Sequence, residues 1–334
     1  MFHEKGILVG VDGSDSAFNA LNWAVAEAKV RGLGVYIACA YSLPRFGGSS
    51  MDAAYVELGK NAVREGAEAV LNDALKHAED LGAEVQGSVE VGDPAGVLVE
   101  LSKQAALAVV GTRGRGGFAE RLLGTVSTAL PVHAHCPTVV VPGHYTGVRA
   151  NDDGVTLEHG LPVASPHHIG QIVVGVDGSD ASKVALHRAV DEAVAWGAHL
   201  TAFSSMPVAT GTSLFAWAPG QIDHTAVLAE LEAEVGHAVD EELSGRSDLP
   251  EDFQVELHGL DGTPSALLVE FSSQVDLIVV GSRGRGGFSG LLLGSTSQAV
   301  LHHARCPVMV VPARLKDGPA CGGCDQEAAA AKAE

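Results

Sequence analysis

Two stretches of this chain are nearly the same, GTRGRGGFAERLLGTVS from Gly111 and GSRGRGGFSGLLLGSTS from Gly281. Both follow small aliphatic residues, and both keep the spacing G-x2-G-x9-G-[ST]. Glycine is entropically costly to order and is kept where backbone turns unusually or approaches something closely. The chemistry that this spacing offers is anion binding. Gly111 and Gly114 let backbone amides converge into a nest for phosphate oxygens. Gly124, Thr125 and Ser127 open a helix, whose free N–H groups and dipole favour negative charge. The hydroxyls can cap that helix or donate to phosphate. Arg113 and Arg115 add charge-assisted hydrogen bonds. The second stretch repeats the set with Gly281, Gly284, Gly294, Ser295, Ser297, Arg283 and Arg285.

A second pair of motifs carries an acid. ILVGVDGSD from Ile7 matches IVVGVDGSD from Ile172, which places Asp12 and Asp177 where a strand ends. An acid there accepts from ribose or adenine, or approaches a metal bound to phosphates. Ser14 and Asp15, slightly later, read as caps of the following helix.

The elements that hold these residues alternate. ILVGV is a short buried strand, and SDSAFNALNWAVAEAKVRG has apolar residues at helical spacing with Gly32 as a stop. GVYIACAY, VREGAEAVLNDALKHAEDLG, EVQGSVEVG, DPAGVLVELSKQ, AALAVVGT, TVSTALPVHAHC and TVVVP continue as strand, helix, strand, helix, strand, helix, strand. Pro94 suits the first turn of the third helix. Continuous aliphatic strands and strand–helix alternation predict a parallel sheet with right-handed crossovers. The whole order recurs, so the chain is a tandem duplication of a unit of about 140 residues. The expected fold is α/β: two tandem doubly wound domains, each a five-stranded parallel sheet of order 3-2-1-4-5 flanked by helices. The expected boundaries are 1–143 and 170–313 for the two domains, 144–169 for a linker and 314–334 for a Gly/Ala-rich tail. In such sheets a ligand sits beyond the strand carboxyl ends, at the switch in strand order. The glycine loop follows strand four and the Asp loop follows strand one, so the two flank that point.

Composition narrows the partners. The formal net charge is −20, which argues against nucleic acid, because that surface needs clustered Lys and Arg. No apolar run is long enough to span a membrane. The N-terminal residues lack a leader pattern, and five cysteines form no disulfide framework, so a cytoplasmic, reducing setting is expected.

With these motifs assembled, the chain resembles the universal stress protein family in a tandem form. The resemblance rests on VGVDGSD, the G-x2-G-x9-G-[ST] loop and the closing CP-x-VVVP strand, in that order, twice. It implies the ATP-binding branch, with Mg expected on the phosphates. It implies that Asp12 sits near the adenosine and that backbone around Ala40, at the end of strand two, meets adenine. Gly111, Gly114, Gly124, Thr125 and Ser127 hold the phosphates, and Asp177, Phe203, Gly281, Gly284, Gly294, Ser295 and Ser297 are the second set. It also implies pairing of domains through strand five, within the chain or in a homodimer.

Other readings fit less well. A dinucleotide fingerprint belongs after strand one, whereas the glycine loop here follows strand four. Neither loop contains G-K-[ST] of a Walker A motif. A phospho-acceptor receiver domain would need an Asp ending strand three and a Lys ending strand five, and neither is seen. An ATP-hydrolysing or phosphoryl-transfer enzyme using Asp12 and Asp177 needs further metal ligands and a positioning residue, and no motif supplies them. The expected role is a nucleotide-responsive stress or signalling module with slow hydrolysis at most, no assigned catalytic residue and no assigned metal ligand. His133, His135 and Cys136 read as a helix C-terminus favourable to the dipole. Cys321 and Cys324 have metal-ligand spacing without the surrounding ligands of a zinc site. Pro131 lies inside the fourth helix, where the second unit has Leu301, and predicts a kink.

Overall fold

The computed structural model describes residues 6–42, 53–114, 123–145, 157–158, 161–162, 168–207, 223–284 and 293–316. The first unit runs β1 (Ile7–Gly10), α1 (Asp15–Arg31), β2 (Val35–Tyr41), α2 (Ala53–Asp80), β3 (Val85–Val91), α3 (Pro94–Leu101), β4 (Leu107–Gly111), α4 (Thr125–His133) and β5 (Thr138–Val141). Two short strands follow, β6 (Leu157–Glu158) and β7 (Leu161–Pro162), paired antiparallel with each other. The second unit runs β8 (Gln171–Gly175), α5 (Asp180–Trp196), β9 (His199–Met206), α6 (His224–Ser244), β10 (Val255–Asp261), α7 (Pro264–Phe271), β11 (Leu277–Gly281), α8 (Ser295–His303) and β12 (Val308–Val311).

Local chemistry accounts for the helix limits. Ser14 and Ser179 accept from Ala17 N and Ser182 N at the starts of α1 and α5, and Gly32 and Gly197 end both helices in the left-handed conformation. Asp93 caps α3 ahead of Pro94. The second helix begins ten residues before the expected VREGAEAV segment. Gly59, a weak helix former, hides that extension from a propensity reading. α4 runs through Pro131 as one helix. Like α8, α4 has nine residues, and Ala134 N still donates to Leu130 O at 2.8 Å.

All five strands of each unit join one ten-stranded sheet, ordered β10-β9-β8-β11-β12-β5-β4-β1-β2-β3. Each half is parallel with the 3-2-1-4-5 order. The halves meet where β12 and β5 pair antiparallel, with Met309 opposite Val139. Strand five therefore pairs within the chain. Alternate residues of each strand enter two layers. Ile7 and Val9 belong to the layer covered by α1, α2, α5 and α6, while Leu8, Ala108 and Val110 belong to the layer covered by α3, α4, α7 and α8.

The contact between α1 and α5 reinforces this seam. Arg31 forms ion pairs with Glu27 and Glu192, the latter at 2.6 Å, and Trp196 Nε1 donates to Glu27 Oε2 at 2.6 Å. Both glutamates are buried. Past β12, residues 313–316 form a 3-10 turn, where Arg314 donates to Ala134 O of the first unit and Leu315 packs on the core. The remainder of the expected tail, with Cys321 and Cys324, lies outside the described residues, as does most of the expected linker.

Candidate functional site

The site is set by β1, which pairs with β2 on one side and β4 on the other. The chain leaves the carboxyl ends of β1 and β4 side by side, and a cavity of about 360 Å³ opens there. A volume of that order suits a nucleotide-sized ligand. Its walls include Gly10, Asp12, Ala38, Ala40, Leu98 and Val110, and the glycine loop and the start of α4 close it. Among the described residues that line it, Asp12 is the one carboxylate.

Asp12 is held by its own loop. Oδ1 accepts from Ser14 N at 3.0 Å and from Ser14 Oγ at 2.6 Å. Ser14 Oγ also lies 3.2 Å from Arg113 O, which ties the Asp loop to the glycine loop. Gly114 packs directly on this carboxylate: a methyl group there would overlap Asp12 Oδ2. The close approach explains why this position is glycine. Gly111 has a different reason, because a methyl group there would overlap the backbone of Ser16 in the first turn of α1. Gly111 thus serves strand–helix packing and lets the loop start close to α1.

The end of the loop divides the hydroxyls. Thr125 is exposed at the first position of α4, beside the free amides of that helix. Ser127 is buried and turned inward: Oγ accepts from Gly124 N at 2.9 Å and lies 2.9 Å from Thr112 O. Thr112 O also accepts Gly124 N at 2.8 Å. Ser127 therefore pins the two ends of the loop together, whereas the sequence left its hydroxyl open to phosphate. Thr112 went unnoticed in the sequence, although its place beside Gly111 marks it as a loop anchor. Arg113 is exposed, and its backbone N donates to Ser16 Oγ at 3.4 Å. Arg115 and Arg285 lie outside the described residues.

The second unit repeats the frame. Asp177 Oδ1 accepts from Ser179 N at 3.0 Å and from Ser179 Oγ at 2.6 Å, and a methyl group on Gly284 would overlap Asp177 Oδ2. Gly281 packs on Ala181 as Gly111 packs on Ser16. Buried Ser297 bonds Ser282 O at 3.2 Å, exposed Ser295 opens α8, Gly294 N donates to Ser282 O at 2.8 Å, and Arg283 is exposed.

One pair of expected counterparts needs correcting. Ala40 and Phe203 are not equivalent. Gly10 pairs with Ala38 and Gly175 with Phe203, and the carbonyls of Ala38 and Phe203 accept from Val11 N and Val176 N respectively. Phe203 thus answers to Ala38, and Ser205 answers to Ala40. The duplication has one fixed offset through this region, and the expected pair breaks it by two residues. Ala40 lines the first cavity, while Phe203 is 1% exposed, with its ring edge-on to Phe271 at a centroid distance of 5.6 Å.

At the far end of α4, His133 and His135 are exposed and Cys136 is buried. Burial pushes the Cys136 thiol up to about 12 against the pull of Arg188 and Arg314. Among the described residues no group of three or more His, Cys, Asp or Glu side chains is placed to hold a metal ion.

Comparison with known proteins gives one answer for both halves. The model of the universal stress protein family matches residues 4–142 and 168–312. A universal stress protein of Mycobacterium tuberculosis is 32% identical over 338 residues, covering 94% of this chain and 96% of the relative. One of Mycolicibacterium smegmatis is 35% identical over 318 residues, covering 93% and 98%. The crystal structure of a universal stress protein from Archaeoglobus fulgidus shares the fold with a TM-score of 0.62 at 21% identity, covering 93% of this chain and all of that one.

Proposed function

We propose that this chain, which belongs to the universal stress protein family, binds an adenine nucleotide, ATP with Mg, and acts as a nucleotide-responsive stress or signalling module. The observation that carries this reading is the approach of Gly114 to Asp12 at the mouth of the cavity. It brings backbone amides, a carboxylate and the start of α4 to one place. Ala38, Ala40 and Leu98 offer an apolar wall for a base, Asp12 a partner for ribose or a phosphate-bound cation, and α4 its free amides for phosphate. The exposed Arg113 and Thr125 lie at the mouth.

Hydrolysis is slow in this reading. Phosphoryl transfer requires metal ligands and a group that positions the nucleophile. Among the described residues Asp12 is the one carboxylate on the cavity wall, and two hydrogen bonds from Ser14 occupy its Oδ1. Bound ATP would engage the glycine loop and alter the surface that a protein partner meets. The module is proposed to work in the cytoplasm. A homodimer, where formed, uses a face other than strand five, whose edges are joined within the chain.

The test is mass spectrometry of nucleotide released from purified protein, followed by titration with Mg·ATP. ATP in the released fraction, or saturable binding on titration, is the expected result. No nucleotide released and none bound refutes the reading. Rapid turnover abolished by Asp12→Ala would favour an ATPase instead.

A further inference from the structure

We infer that only the first unit takes a nucleoside, and that Phe203 shuts the second unit against the base. This rests on the nucleotide reading above and fixes its stoichiometry at one per chain.

The two sites share their phosphate-facing frame and differ in the floor. In the first unit, Ala38 contributes one methyl group to a cavity wall completed by Gly10 and Leu98. Leu98 is drawn tightly onto Gly10: a methyl group on Gly10 would lie 2.6 Å from Leu98 Cδ1. In the second unit, the ring of Phe203 comes to the same place. A methyl group on Gly175 would find Phe203 Cε1 at 4.0 Å and Leu268 Cδ1 only at 3.8 Å. The leucine has been displaced from the glycine, and the aromatic ring stands beside it. Phe203 is 1% exposed and rests on Phe271 and on the same core layer as Leu268, so it is a fixed part of the interior.

The neighbouring position agrees. Ala40 lines the open cavity of the first unit. Its counterpart Ser205 has its Oγ sealed from solvent and, among the described residues, without a hydrogen-bond partner. A hydroxyl at the floor of an open cavity would reach water, and burying one unpaired is unfavourable. The second floor is therefore filled by the ring of Phe203 and carries a sealed hydroxyl at Ser205. Interiors are packed too densely for a ring of this size to move aside without cost. The base contributes apolar contact that the phosphates cannot replace, so a frame without a floor does not hold ATP.

Full-length protein is titrated with Mg·ATP by calorimetry, and the bound nucleotide is counted by native mass spectrometry. Wild type is expected to bind one ATP per chain. Phe203→Ala, which recreates the first floor, is expected to bind two. Ala38→Phe, which copies the second floor into the first unit, is expected to bind none while keeping its circular dichroism spectrum. Two ATP on wild type overturns the inference and leaves the nucleotide reading intact. A folded Phe203→Ala that still binds one also overturns it. No binding to wild type or to Phe203→Ala overturns the nucleotide reading itself, and the inference with it. Should Phe203→Ala fail to fold, Phe203→Leu and the wild-type count decide.

Discussion

Replacing Gly114 by alanine tests the cradle at its narrowest point. The added Cβ would sit more than about 1 Å inside ordinary contact with Asp12 Oδ2. A carboxylate at the end of a free side chain would swing away at little cost. Asp12 is not free to do so, because Oδ1 is held at 3.0 Å by Ser14 N and at 2.6 Å by Ser14 Oγ. Either these bonds lengthen or the glycine loop lifts from the cavity. Hydrogen bonds to charged groups contribute about 1.5–3 kcal/mol each. Weakening one of them, or misplacing the loop amides by a similar amount, reduces ATP affinity by about tenfold to a hundredfold, with 1.4 kcal/mol for each factor of ten. Gly66→Ala is the control, since its added methyl on exposed α2 would find nothing within 4 Å and lies away from the cavity wall. That variant should stay within about threefold of wild type, well under the 1.4 kcal/mol of a tenfold change. Isothermal titration with Mg·ATP reads both. Equal losses in the two variants, or wild-type affinity in Gly114→Ala, would refute the cradle.

Two further substitutions probe the loop anchor and the seam between units. Ser127→Ala removes the hydroxyl shared by Gly124 N and Thr112 O, and should cost about 1–3 kcal/mol of stability, seen as a Tm lower by several degrees. ATP affinity should fall by less than about tenfold, since Ser127 acts on the loop and not on phosphate; a large affinity loss with an unchanged Tm would reverse that assignment. At the seam, burial and then the neighbouring Glu27 carboxylate push Glu192 from 4.5 up to about 8. The folded state therefore holds the proton more tightly than the unfolded chain. Stability from this group is full below 4.5 and is lost as pH rises toward about 8, by at most about 1.4 kcal/mol per pH unit. Calorimetric Tm should fall over that window in wild type, and Glu192→Gln should flatten the slope; parallel slopes in the two proteins would sink the linkage.

Much of this was legible in the sequence because it depends on local spacing. The parallel sheet follows from aliphatic runs alternating with helical periods, and the approach of the two loops follows once the order is taken as 3-2-1-4-5. Asp12 and Gly114 are marked by their positions at the ends of adjacent strands. The roles of Gly111 and Ser127 were not legible in that way. Gly111 is glycine because α1 crosses over it, and Ser127 faces inward because Thr112 returns beside it from fifteen residues upstream. Both facts depend on tertiary contacts that spacing does not record. The mismatch of Ala40 with Phe203 has a simpler origin. Pro207 follows β9 at once whereas Pro44 stands three residues past β2, so matching the two prolines shifts the pairing by two residues, and strand register restores it.

The same register exposes a consequence of duplication at the seam. Glu27 and Glu192 are equivalent by position, as are Arg31 and Trp196, at the ends of two helices of seventeen residues each. Across the seam Arg31 reaches Glu192 and Trp196 reaches Glu27. One arginine thus serves two buried carboxylates, and an indole N–H answers the second. Two identical second units placed across such a seam would bury two glutamates facing only tryptophans. A glutamate there would hold its proton at neutral pH, as Glu192 already tends to, or sit as an unpaired buried charge. The seam as built draws Arg31 from the first unit and Trp196 from the second, two different residues at equivalent positions. Joining the units in one chain releases each position from serving both halves. Ala38 and Phe203 are a second instance of that freedom, on the opposite face of the sheet.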